Sequence, residues 1–281
     1  MGKSTKDDYI QSVCRVILYI EQNYNSDLSL DELSKIASFS KYHFHRIFKS
    51  LVGESMLDYI RRVRLQSTTL QFMTHKKITQ IAINSGYETN ASFSKAFKKH
   101  FGITPKEFAK NAKLKRGNKM LEPKIVELKD IDILYVRKTG SYQKAAQEAW
   151  EVLMPFAYQN KIKYKKNLMG KDAMMFGIGH DNPHVTEVEK LRYDACISWD
   201  DKTVKPQGEI QSKIIDGGKY AMFLHKGAYT ELINTYDGVS DWIVQSGVKL
   251  RDLPIIEKYL NKDPRRTKTE NLRTEIYLPI I

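Results

Sequence analysis

One stretch of this chain is written twice. Leu33-Ser-Lys-Ile-Ala-Ser-Phe-Ser-Lys-Tyr-His-Phe-His-Arg-Ile-Phe-Lys49, followed by Gly53-Glu-Ser55, is retraced by Ile78-Thr-Gln-Ile-Ala82, Ser92-Phe-Ser-Lys-Ala-Phe-Lys98 and Gly102-Ile-Thr104. Ala37 matches Ala82 at an offset of 45, whereas Phe44, Phe48, Lys49 and Gly53 match Phe93, Phe97, Lys98 and Gly102 at 49, so the second copy has a longer turn. Each copy reads as a short helix, a turn and a second helix. Ser29 and Thr79 stand near the starts of the first helices, and Ser40 and Thr89 precede the second ones as N-caps. This is the helix-turn-helix plan in duplicate.

At 100° per residue, the second helix of each copy has two faces. In the first, Tyr42, His45, Arg46 and Lys49 share one arc, with Phe44, Ile47, Phe48 and Leu51 opposite. In the second, Phe93, Phe97 and Phe101 form the apolar stripe, and Ala91, Ser92, Lys95 and Lys99 point away from it. Any surface helix has a polar face; two in register inside a strongly basic segment suit a major groove. Of the net charge of +13, residues 1–120 carry +11, from 21 Lys and Arg against 10 Asp and Glu. Residues 121–281 hold 25 against 23. The segment 56–73 between the copies lacks Gly and Pro, so a continuous helix of ~27 Å is expected there. That length holds two reading helices apart by about the ~34 Å repeat of B-DNA. Arg61, Arg62 and Arg64 on it are open to two readings, phosphate contact or plain solvation.

The run Ile81-Ala-x3-Ser-Gly-Tyr87 with Phe93-x3-Phe97-Lys-x3-Phe-Gly-Ile-Thr-Pro105 resembles the signature of AraC/XylS-type transcription regulators, and Ser40 to Lys49 fits it too. The resemblance covers roughly residues 8–112. It implies base contacts from Tyr42, His45 and Arg46 in the first copy, and from Asn90, Ala91, Ser92 and Lys95 in the second. Physically, Arg46 could fork onto guanine, a pairing that discriminates by about 1–3 kcal/mol. Lys49, Lys98 and Lys99 suit phosphates, which add affinity and salt dependence without reading sequence.

The polar, basic stretch from Lys110 to Lys119, with Pro123 after it, separates this half from a strand-rich one. The expected domains are 1–110, a linker at 111–122 and a second domain at 123–281. The second half has its own repeat: Gly140 and Tyr142 match Gly227 and Tyr229 at an offset of 87, and Leu191-Arg192 matches Leu272-Arg273 at 81. The expected fold is multi-domain. An N-terminal all-α double helix-turn-helix precedes a C-terminal α+β unit, in which two pseudo-symmetric β-α-β-β repeats form an antiparallel sheet with helices on one face.

One position breaks that symmetry. At the 81 offset, Glu257 stands where the first repeat has Phe176, in a strand of otherwise alternating apolar residues with Tyr259 on the same face. A carboxylate there is either an exposed edge residue or a buried anion awaiting a cationic or hydrogen-bonding ligand among Tyr142, Trp150, Trp199, Tyr229 and Trp242. Gly140-Ser-Tyr142, Asp181-Asn-Pro183, Leu191-Arg-Tyr-Asp194, Gly217-Gly-x-Tyr220, Gly227-Ala-Tyr229, Glu257-x-Tyr259 and Asp263-Pro264 are similar to GyrI-like, multidrug-sensing effector modules. The order of the halves resembles the Rob-like arrangement. The likeness implies that Glu257 receives bulky apolar or cationic aromatic compounds in an aromatic cavity.

The function expected is a sequence-specific transcription regulator that binds double-stranded DNA and a small effector, with RNA polymerase as a further candidate partner. The alternatives are a GyrI-like hydrolase of strained electrophiles with Glu257 as base, and a sequence-blind architectural protein. Cys14 and Cys196 make no disulfide framework or metal pattern. His43 and His45 diverge on a helix, and His180 and His184 flank the turn at Pro183, so neither pair suggests a metal. No cofactor motif is present, no apolar run approaches the ~18 residues of a membrane span, and the polar first residues lack a secretory h-region. A cytoplasmic, nucleoid-associated protein is the expectation.

Overall fold

The computed structural model describes residues 3–74, 76–114, 121–162, 173–261 and 263–281. Contacts divide the chain into two units, Met1–Ala112 with Gln207–Gln211, and Lys113–Pro206 with Ser212–Ile281.

The first unit is all helical: α1 (Lys3–Asn23), α2 (Leu30–Ala37), α3 (Lys41–Val52), α4 (Met56–Gln71), α5 (Ile78–Asn84), α6 (Asn90–Phe101) and α7 (Pro105–Leu114). The helix starts follow capping chemistry. Ser29 and Thr89 accept from the backbone N–H of Glu32 and Ser92 at the heads of α2 and α6. Thr104 and Glu107 satisfy each other's N–H groups at the head of α7, a reciprocal capping box with Pro105 inside it. Thr79, expected near a helix start, lies inside α5, whose cap is Lys77. The four extra residues of the second copy divide evenly. Two lengthen α5 beyond Ala82 and two lengthen the turn, 85–89 against 38–40 in the first copy.

The helix α1 was not legible as an element. Val13, Val16 and Ile20 recur at helical spacing and are buried against Leu33, Phe44, Phe48, Tyr59 and Val63. The second copy has its own aromatic core: Phe72, Phe93, Phe97, Phe101 and Phe108 touch one another at ring separations of 4.5–6.4 Å. Leu51, expected in the first core, is 43% exposed. The stretch expected as a linker begins inside α7, and residues 115–120 lie outside the described residues, as do Lys163–Lys166 of the basic run that begins at Lys161.

The second unit contains β1 (Lys124–Leu128), β2 (Ile131–Thr139), α8 (Tyr142–Gln159), β3 (Met175–Gly179), β4 (Arg192–Ser198), β5 (Gln211–Ile215), β6 (Gly218–Lys226), α9 (Leu232–Ser246), β7 (Ile256–Tyr259) and β8 (Arg273–Pro279). Each repeat is therefore β-β-α-β-β, one strand longer than the sequence showed. The eight strands form one sheet in the order β1-β6-β8-β7-β3-β4-β2-β5. The added strands exchange: β1 pairs with β6 of the other repeat, and β5 lies beside β2. Both are five-residue edge strands, too short to announce themselves by alternation.

The register corrects one offset. Val136 pairs with Ala195 and Phe223 with Ile276, which keeps 87 for β2/β6 and 81 for β4/β8. Gly177 pairs with Ala195 and Glu257 with Ile276, so β3 and β7 are related by 80. Glu257 is thus the counterpart of Gly177, and the two residues face each other across the central β3–β7 pair. A one-residue slip moves a side chain to the other face of a sheet. Phe176, expected beside Glu257, instead joins Tyr135, Cys196 and Ile256 in the core of the opposite face.

That opposite face also carries the most charged buried group in the unit. Asp194 is fully buried and accepts from Arg137 Nε at 2.6 Å and Lys213 Nζ at 2.5 Å, with His180 Nε2 2.8 Å from it. Burial pushes its carboxyl up, but Arg137 and Lys213, with His180, outweigh this and hold it well below the usual carboxylate range. Because the unfolded chain takes up this proton at a higher pH than the folded one, Asp194 stabilises the fold above the ordinary carboxylate pKa and that stability is lost on acidification. Asp194→Asn leaves these cations without their anion. It is expected to cost about 3–5 kcal/mol in urea unfolding, with the difference from the parent shrinking as pH falls.

Candidate functional site

In the helical unit the two reading helices present their polar faces outward. Tyr42 is 88% exposed, and His45, Arg46 and Lys49 are exposed beside it. Phe44, Ile47 and Phe48 anchor the other side of α3. On α6, Asn90, Ala91, Ser92, Lys95, Lys98 and Lys99 are exposed over buried Phe93, Phe97 and Phe101. Ser92 is committed locally: its hydroxyl donates to the Thr89 carbonyl at 2.9 Å and accepts from the Thr89 hydroxyl at 3.0 Å. Both helices pack on α4, whose 16 residues span about 24 Å.

Of the three arginines of α4, Arg61 stays exposed at the surface, as the solvation reading has it, whereas Arg62 and Arg64 turn to partners inside the protein. Arg62 is buried and donates to Glu54, Arg61 pairs with Asp58 at 2.8 Å, and Arg64 donates to main-chain carbonyls. Arg62 and Arg64 thus serve the packing of the helix, and Arg61 makes a surface pair one turn along it.

In the second unit both helices lie over the sheet face that carries Glu257. From α8, the Trp150 indole N–H donates to Tyr193, whose ring is buried; from α9, the Tyr236 hydroxyl donates to Glu257 Oε1 at 2.8 Å. The Tyr259 hydroxyl donates to Glu257 Oε2 at 2.7 Å and exchanges a 2.8 Å hydrogen bond with Tyr193. Trp150 and Tyr229 meet the Tyr259 ring edge-on at 6.0 and 5.5 Å, and Tyr142 meets Tyr193 at 6.4 Å. Glu257 itself is 9% exposed. Burial pushes its carboxyl above the usual range against the pull of the two phenolic donors, and burial likewise raises Tyr193, Tyr236 and Tyr259.

The first repeat makes room for these rings with glycine. A Cβ on Gly177 would overlap the Tyr259 hydroxyl and come to 2.5 Å from that of Tyr193; on Gly179 it would stand 3.2 Å from the Tyr142 ring. Under the 80 offset these glycines are the counterparts of Glu257 and Tyr259, so one repeat supplies the carboxylate and phenol and the other supplies the space they occupy. Gly177→Ala is expected to drive Tyr259 off Glu257 and to displace Tyr193 with it, costing about 1–3 kcal/mol of stability. A raised Trp150 exposure to acrylamide quenching would report the displacement.

The structure thus gathers Tyr142, Trp150, Tyr229 and Tyr259 about Glu257, and adds Tyr193 and Tyr236. Tyr236 follows Tyr229 by seven residues, a same-face spacing that could have exposed it. Tyr193 was inside a quoted motif and shares its strand face with Ala195. Trp199 is elsewhere: its N–H donates to the Val204 carbonyl at 3.1 Å and Lys202 caps its ring. Trp242 packs edge-on against Phe223, which Ile276 separates from Glu257 in the register. Of the histidines set aside as ligands, His180 is bound to Asp194 and His184 lies 3.8 Å from Asp237.

Two helices with exposed basic faces in one unit, and a buried carboxylate ringed by aromatic side chains in the other, are the features of a DNA-binding transcription regulator of the AraC type with an effector module. The chain belongs to the family of the GyrI-like small molecule binding domain, which matches residues 121–281, and a helix-turn-helix domain matches residues 33–111. It is similar to the transcriptional regulator Rob of Salmonella typhimurium, at 24% identity over 94% of this chain and 96% of that protein. The right origin-binding protein of Escherichia coli K12 is 25% identical over the same shares. The HTH-type transcriptional activator AarP of Providencia stuartii is 30% identical over 43% of this chain and 93% of its own length. Among solved structures, the C-terminal domain of EcmrR aligns at a TM-score of 0.47 with 18% identity, over 58% of this chain and 99% of that one. Among the described residues, no helix is long and apolar enough to cross a membrane.

Proposed function

We propose that the chain reads duplex DNA with α3 and α6 in successive major grooves and changes its hold on DNA when a small cationic aromatic compound enters beside Glu257. In this reading Arg46 forks onto guanine, Tyr42, His45 and Asn90 contact neighbouring base edges, Ala91 abuts a thymine methyl, and Lys49, Lys95, Lys98 and Lys99 grip phosphates or edges within reach. Ser92 contributes through the cap it makes. The effector lies against Tyr142, Trp150, Tyr229, Tyr236 and Tyr259, and its charge replaces the phenolic protons as the partner of the carboxylate. RNA polymerase is the further partner assigned, on the bacterial nucleoid.

One observation carries the ligand reading: a buried carboxylate whose two oxygens are held by neutral hydroxyls and whose walls are aromatic faces. Such a group is costly to ionise until a cation arrives. The hydrolase reading is weaker, because both oxygens that would act as base already accept phenolic protons and the similar regulators above are named for transcription. The test pairs two measurements on the full chain. Selection from random duplex DNA should return a recurrent site with two parts. Trp150 fluorescence should respond to 10-methylacridinium more strongly than to its uncharged counterpart acridine. Failure to enrich any sequence sinks the DNA reading, and equal binding of the two acridines sinks the ligand reading.

A further inference from the structure

Arg64 lies half-buried in the middle of α4, with its guanidinium turned to main-chain carbonyls of other elements. Its Nε donates to the Tyr24 carbonyl at 2.7 Å, one terminal nitrogen to the Ser26 carbonyl at 2.8 Å, and the other to the Gly86 carbonyl at 3.4 Å. Tyr24 and Ser26 belong to the segment that joins α1 to α2, just past the α1 C-terminus, where carbonyls lack helical partners. Gly86 belongs to the turn between α5 and α6. One planar fork therefore ties the main chain that leads into the first helix-turn-helix copy to the turn inside the second, across 40, 38 and 22 residues of sequence. Gly86 is shaped to this contact: its φ is +78°, and a Cβ there would stand 3.1 Å from the guanidinium carbon.

We infer that Arg64 is a positioning residue that sets the phase between the two reading helices, so that the spacing of the two half-sites is read through a side chain that touches no DNA. The reason is geometric. Two reading heads on one chain gain affinity from each other only when both reach their grooves at once, and that gain falls steeply when their relative placement loosens. A lysine keeps the charge but cannot donate to three carbonyls in one plane.

This inference rests on the two-groove reading of the preceding subsection. Its test uses the full chain and the duplex that the parent selects, in versions with one base pair added to or removed from between the half-sites. Arg64→Lys is expected to bind the selected duplex roughly tenfold or more weakly and to tolerate the altered spacings that the parent rejects. A parent that shows no spacing preference overturns the two-groove reading itself. A parent with a preference that Arg64→Lys retains overturns only the role of Arg64. Should Arg64→Lys lose helical content, Arg64→Gln, with spin labels at Ser50→Cys and Ser94→Cys in a Cys14→Ser background, measures the helix separation directly. A broadened or shifted distance distribution supports the inference, and an unchanged one overturns it.

Discussion

Glu257→Gln is expected to lower affinity for 10-methylacridinium by about 2–4 kcal/mol, roughly 30- to 900-fold, while leaving acridine within about threefold. The amide keeps the volume of the carboxylate; its oxygen still accepts from one of Tyr236 and Tyr259, and its NH2 can donate to the hydroxyl of the other, so the fold and the apolar part of the site persist. What disappears is the charge. The pH dependence has a definite sign. Burial raises the Glu257 carboxyl, so the free protein holds this proton to a higher pH than the unfolded chain does. Native protein then binds more protons than unfolded protein, and stability falls as pH rises from the ordinary carboxylate range through the raised value. Binding a cation requires the ionised form, so affinity rises over the same interval. Glu257→Gln should erase both slopes and be the more stable protein at alkaline pH, with the difference vanishing in acid. Isothermal titration across pH and thermal melts check the two halves separately. Equal affinity of parent and variant for the cation would remove Glu257 from the site.

Removing Arg46 and Lys95 together should weaken binding to the selected duplex by about 2–5 kcal/mol, roughly 30- to 4000-fold at fixed salt. Both side chains are exposed and neither is needed by the helical core, whose anchors Phe48 and Phe97 lie on the opposite faces. The loss therefore reports contact with DNA rather than unfolding. The two contributions are separable. Arg46→Ala should relax the preference for one base pair, whereas Lys98→Ala and Lys99→Ala should weaken all sequences alike and each flatten the salt dependence by about one unit of slope. Unchanged affinity of the double variant in a gel shift would mean that α3 and α6 are not the reading helices.

Much of this was legible in one dimension. The phenylalanines spaced by four, the polar arcs between them and the caps Ser29 and Thr89 are local facts, so the helix-turn-helix copies could be read before any fold was known. A lone carboxylate in an apolar strand is conspicuous for a similar reason. The partners of Arg62 and Arg64 were not legible, because an acceptor 8 or 40 residues away leaves no periodic mark. The edge strands β1 and β5 were too short to show, and the spacing between repeats was wrong by one residue.

That single residue separates the two kinds of knowledge. Amino-acid order alone determined the paired helices of the two helix-turn-helix copies, the phenylalanine sides of α3 and α6, where the positive charge accumulates and which acidic side chain is out of place. Only packing decided that Glu257 faces Gly177 rather than matching Phe176, that Tyr236 and Tyr193 complete its surroundings, and that Arg62 and Arg64 find acceptors within the protein. Strand pairing and long side chains join residues by distance in space. A sheet's two faces alternate at every position, so nothing short of the actual hydrogen-bond register tells them apart.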